Sequence, residues 1–152
     1  MSDASSAPVA GTVTGGIKPI DVGLLVLRLG IGIMFIFFGL QKVLGGPERW
    51  EELGQAMGTF GITFAPALWG LMASLAELVG GLLLLLGVFT REAALFLLIT
   101  MVVAAAWLLS VGAGLQKAAH AIDMGIVFLA VLIAGPGRLS LSSLFGWKAW
   151  YA

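Results

Sequence analysis

VGLLVLRLGIGIMFIFFGLQKVL, residues 22–44, decides the fold. Two charges, Arg28 and Lys42, interrupt an otherwise apolar run. As a helix rising ~1.5 Å per residue, it is long enough to cross a hydrocarbon core of ~30 Å. Lipid offers no partner for backbone N–H and C=O groups, so such a run must satisfy them internally as a helix. Three further runs follow at residues 66–89, 93–112 and 119–135. The expected fold is therefore all-α: an integral membrane four-helix bundle.

Composition supports that class. Hydrophobic residues make up 60% of the 152 and charged residues 11%, against roughly 25% charged in a soluble domain. Mean hydropathy is +1.08. The formal net charge of +0 gives no electrostatic reason to expect a nucleic-acid partner. There is no cysteine, so disulfide exchange and thiolate metal sites lie outside this chain's chemistry. With a single histidine, His120, one chain cannot supply two histidine axial ligands to a haem. No metal site is expected either, because only Asp123 stands at ligand spacing from His120.

Three segments frame the spans. Residues 1–21 are small and polar and read as a disordered tail. They carry no basic leader, and the first run ends at Gly45-Gly46-Pro47 rather than at a small-residue cleavage site, so it reads as a retained span. Between spans one and two, Trp50, Leu53, Met57 and Phe60 recur at helical spacing beside Arg49, Glu51 and Glu52. That pattern fits a short interfacial helix, or equally a loop with one apolar face against the bundle. Residues 22–137 form the membrane domain, and residues 138–152, rich in Trp and Tyr beside Lys148, read as an interfacial tail. Thr90 is the expected N-cap of span three, with Glu92 in its first turn.

Four spans bring both termini to one side. That side collects Lys18, Arg28, Arg91, Arg138 and Lys148, against Lys42, Arg49 and Lys117 on the other. The basic excess assigns both termini to the cytoplasm.

The chemistry must come from polar groups inside the spans. Arg28, Lys42, Glu77 and Asp123 are ionisable, with Gln41 and His120 beside them. Each charge costs roughly 2.5–3.5 kcal/mol to insert and normally faces the bundle interior and pairs. On span one, Arg28, Gly32, Phe35, Gly39 and Lys42 share a face, with the two cations about 21 Å apart. The glycines on it admit another backbone or a flat ligand. Glu77 lies mid-span with Gly80 and Gly81 nearby, too deep to reach water. By charge Arg28 is its expected partner, while Lys42, Gln41, His120 and Asp123 form a second expected cluster. Such pairs serve either as structural pins of helix register or as a functional site.

These residues resemble the DoxX family of small bacterial and archaeal membrane proteins. The likeness lies in LRLGIGIMFIFFGLQKVLGG (27–46), AELVGGLLLLLGVFTREAAL (76–95) and GPGRLSL (135–141). The resemblance implies a four-helix membrane bundle in a prokaryotic inner membrane. It also implies, through relatives that serve quinone-linked oxidoreductases, an accessory role in such a complex. In this chain the family's acidic position in span four is Asp123, and Ser142 stands where the family often has Asp.

Three functions fit these residues. The first is an accessory subunit that binds a quinone between the helix-one glycines and Phe35, Phe37 and Phe38. In it, Glu77 or the His120–Asp123 pair relays protons, and electrons come from a redox-enzyme partner. The second is a non-catalytic membrane anchor or assembly factor. The third is a small-solute or proton pathway, which needs a homo-oligomer and shows no discontinuous helix pair.

Overall fold

A computed structural model describes residues 16–144, and every regular element among them is helical. The elements are α1 (Pro19–Leu44), α2 (Gly46–Gly54), a 3₁₀ turn (Gln55–Phe60), α3 (Pro66–Leu86), α4 (Thr90–Ser110), α5 (Leu115–Ala134) and α6 (Leu141–Leu144). Four of these, α1, α3, α4 and α5, are long and apolar enough to cross a membrane. Their outer faces carry exposed Val26, Ile33, Leu68, Val102, Ile126 and Ile133, as lipid requires.

Local chemistry sets the helix ends. α1 starts at Pro19, three residues before the expected 22. Proline suits the first helical position, and the Lys18 backbone N–H donates to Asp21 Oδ2 at 3.0 Å. α3 stops at Leu86 because Gly87 turns left-handed (φ 70°). Thr90 is not the cap of α4. Phe89 holds that position with φ 48°, and Thr90 is the first helical residue, buried. α5 begins four residues earlier than the expected 119.

α1 runs antiparallel to α3 at backbone contact. A Cβ on Gly39 would sit 2.4 Å from the Leu78 backbone nitrogen, and one on Gly32 would sit 2.9 Å from the Gly81 carbonyl oxygen. The glycine face of α1 thus receives a helix backbone. No flat ligand fits there.

α1 ends beside the middle of α3. The chain breaks at Gly45-Gly46, where Gly46 has φ 77°, and α2 continues in the same direction along the first half of α3. Two close approaches seat it: Gly70 against the Trp50 carbonyl and Gly54 against the Pro66 carbonyl. The short helix expected between spans one and two is present, and its packing partner is α3. The break is a discontinuity that the composition of Gly45-Gly46-Pro47 presents only as an end.

The core joins all four spans. Phe35, Leu84, Leu97, Met101, Phe128 and Val131 are buried together. Phe35 meets Phe128 edge-to-face with ring centroids 4.9 Å apart, which ties α1 to α5.

At the terminal end, residues 135–144 fold back on the bundle. Asp21 Oδ1 accepts from the Arg138 backbone N–H at 3.0 Å, and Gly87 O accepts from Ser142 Oγ at 2.9 Å. The first part of the expected interfacial tail is therefore a plug on the helix ends. Trp147, Lys148, Trp150 and Tyr151 lie outside the described residues.

Candidate functional site

The residues singled out in the sequence separate into three places. Lys42 and Glu77 come together. Lys42 Nζ lies 2.6 Å from both carboxylate oxygens of Glu77, a symmetric charge-assisted pair. The Glu77 side chain is 3% exposed and that of Lys42 29%. The break after α1 explains the pairing. Lys42 stands two residues from the end of α1, and that end lies level with mid-α3, where Glu77 sits. The Lys42 carbonyl accepts from Trp50 Nε1 at 3.0 Å, so α2 helps hold the end of α1 in place.

Arg28 is elsewhere, and its expected pairing with Glu77 does not occur. It is 1% exposed at the terminal end, where Nη2 donates to the Leu139 carbonyl. Nη1 abuts Gly87 so closely that a Cβ there would lie 1.8 Å away. Gly87 is ten residues past Glu77, about 15 Å along the helix. Arg28 therefore faces the carbonyl end of α3, where the helix dipole favours a cation. It fastens the GPGRLSL segment to α1. Sequence reasoning misplaced it because the returning segment cannot be seen in hydropathy.

The expected cluster of Gln41, Lys42, His120 and Asp123 also does not form. Gln41, His120 and Asp123 are exposed on the outer surface. The His120 ring meets Phe38 edge-on at 6.3 Å. Lys42 is taken by Glu77.

The ion pair lies against a cavity of about 370 Å³. That is within the range of small-ligand sites, roughly 300–1,000 Å³. Its lining comes from the ends of α1 and α2, the 3₁₀ turn, α3 and α4. The walls are mostly apolar or aromatic: Met57, Trp69, Met72, Phe96, Val103 and Trp107. Polar groups are few: Lys42, Glu77 and Thr100 within, and the exposed Arg49–Glu52 pair on α2. Among the described residues the buried indole Nε1 of Trp69 has no hydrogen-bond acceptor. A buried N–H without a partner costs about 1–3 kcal/mol.

Sequence reasoning missed Trp69, Thr100 and Trp107. The signal was present as periodicity. Trp69, Ala73, Ala76 and Glu77 share a face of α3, and Phe96, Thr100, Val103 and Trp107 share a face of α4. What periodicity withholds is that these two faces converge on one space. The aromatics expected at the site, Phe35, Phe37 and Phe38, lie elsewhere: Phe35 in the core, Phe37 exposed and Phe38 against His120.

A four-span membrane bundle with an ion pair at mid-depth beside a largely apolar cavity defines the class. The DoxX family model matches residues 23–110. Relatives agree over more of the chain. An uncharacterized membrane protein of Mycobacterium tuberculosis is 36% identical, covering 76% of this chain and 76% of its own length. Inner membrane protein YqjF of Escherichia coli is 33% identical over 86% of this chain and 96% of itself. Inner membrane protein YphA of the same organism is 30% identical over 84% and 91%. The chain belongs to the DoxX family and is a multi-pass inner-membrane protein.

Proposed function

We propose that this chain is an accessory subunit of a quinone-linked redox complex and that the cavity beside Lys42 and Glu77 receives the quinone head group. The observation that carries the reading is the composition of that cavity. It offers flat aromatic walls and one ammonium–carboxylate pair. A quinone is a flat apolar ring with two carbonyl acceptors, and its reduction takes up two protons with two electrons.

The residues fit that chemistry. Trp69 supplies a flat face against the ring. Lys42 Nζ, already partly exposed, is the donor to a carbonyl and holds a proton where an oxygen would take it up. Glu77 neutralises Lys42 and accepts a proton when one is released. Trp107 and Phe96 exclude water. Electrons come from a partner subunit. With the termini cytoplasmic, the cavity lies in the outer half of the membrane.

The anchor or assembly reading has its own support, since Lys42–Glu77 also pins α1 against α3 without any ligand. Purification from native membranes in mild detergent, with mass spectrometry of proteins and extracted lipids, separates the two. A near-stoichiometric quinone with a redox-enzyme subunit is expected. A protein partner without quinone would favour the anchor. A chain with neither would remove both.

A further inference from the structure

Asp123 poses a separate problem. It lies eight residues into the 20 of α5, about 12 Å from the start of the helix. Gly125 packs on Leu98 and Met101 of α4, and Gly80 of α3 packs on Leu97. Those contacts set Asp123 within about one turn of the depth of Glu77. Yet it is exposed on the outer face, and among the described residues it has no hydrogen bond or ion pair. A carboxylate facing lipid at that depth is costly, and its short side chain cannot snorkel to water as Lys or Arg can. Something polar must cover it.

The same face carries the complement. His120, one turn earlier, is exposed as well, and its ring meets the edge of Phe38. Ala130 and Ala134, two and three turns on, are exposed and small on that side, so a second helix can come close.

We propose that this outer face of α5 is the contact surface of a two-fold homodimer, closed by reciprocal pairs of His120 with Asp123 between two copies of the chain. The argument for a second copy is self-complementarity. A two-fold axis along the membrane normal leaves both copies in the same orientation and keeps like residues at one depth, so His120 of each lies within one turn of the level of Asp123 of the other. The axial offset of three residues, about 4.5 Å, is within side-chain reach. One operation thus satisfies both residues twice, as an isologous interface does. This surface lies outside the cavity, so the dimer does not depend on the quinone reading.

The natural chain has no cysteine, so single introduced thiols report cleanly. In native membranes under mild oxidation, A130C is expected to give a disulfide-linked species of about twice 15.8 kDa. V102C, exposed on α4, is expected to stay monomeric. Adding D123N should lower the A130C dimer yield at least about tenfold, because each dimer loses both reciprocal contacts at roughly threefold or more apiece. The exchange H120D/D123H should restore it. An A130C product that is monomeric, or that is linked to a protein of another mass, would overturn the proposal. So would an unchanged dimer yield with D123N.

Discussion

Replacing Lys42 by Met tests whether the buried ion pair holds α1 to α3. At 2.6 Å and an effective dielectric of ~20, the Coulomb attraction is about 6 kcal/mol. Desolvation of the two ions takes back much of that, and an ion pair in such a site is often no better than a well-packed apolar pair. Removal of one partner is another matter. K42M leaves the Glu77 carboxylate, 3% exposed, without a counter-ion, and such a break costs about 3–5 kcal/mol. E77M strands Lys42, but Lys42 is 29% exposed, so the cost should be smaller, about 1–2 kcal/mol after screening. The double variant K42M/E77M removes both charges and should lie within about 1–2 kcal/mol of the parent. Unfolding by dodecyl sulfate in mixed micelles, followed by far-UV circular dichroism, measures all four corners of the cycle. The expected result is a coupling of at least about 2 kcal/mol, with the double variant more stable than K42M. Additive single effects, or a double variant worse than both, would show that the pair does not hold α1 to α3.

Three further predictions follow from the helix contacts. Gly39→Ala should destabilise by about 1–3 kcal/mol, since its Cβ would meet Leu78 backbone at 2.4 Å, while Gly30→Ala, with nothing within 4 Å, should not destabilise. The same micelle unfolding assay reads both. Gly87→Ala should be worse than an ordinary left-handed glycine substitution, because its Cβ would also strike Arg28. Loss of folded yield, with faster proteolysis after Arg138, is the expected readout. Asp21→Ala should cost about 1 kcal/mol as a lost cap and free the returning segment, seen as faster amide exchange at Arg138.

The architecture was legible because lipid leaves few alternatives. The 3.6-residue pattern and run lengths locate four helices to within a few residues, and α1, α3, α4 and α5 follow them. Pairing within the bundle was much less legible. Lys42 meets Glu77 only because Gly45-Gly46 ends α1 at mid-depth and α2 takes over its course. Hydropathy records the glycines but not the depth at which they stop the helix. Arg28 was assigned by charge to Glu77, when its hydrogen bond goes to the Leu139 carbonyl of the returning segment. Backbone partners leave no signature in composition. Asp123 and His120 were expected inside the bundle on the general rule for intramembrane charge. They lie on the outer surface, and residue type alone does not reveal on which side of a helix a charge falls.

Quinone binding in the cavity is read by tryptophan fluorescence. Trp69 and Trp107 line it, so a short-chain benzoquinone seated there should quench their emission. The measurement is a titration of purified protein in nanodiscs, with wild type, Trp69→Phe and the cavity-filling Ala73→Leu. Saturable quenching is expected in the wild type, about two- to tenfold weaker binding where Trp69→Phe cuts back the aromatic wall, and no saturation in Ala73→Leu. Linear, collisional quenching that is the same in the wild type and Ala73→Leu would contradict quinone binding in the cavity.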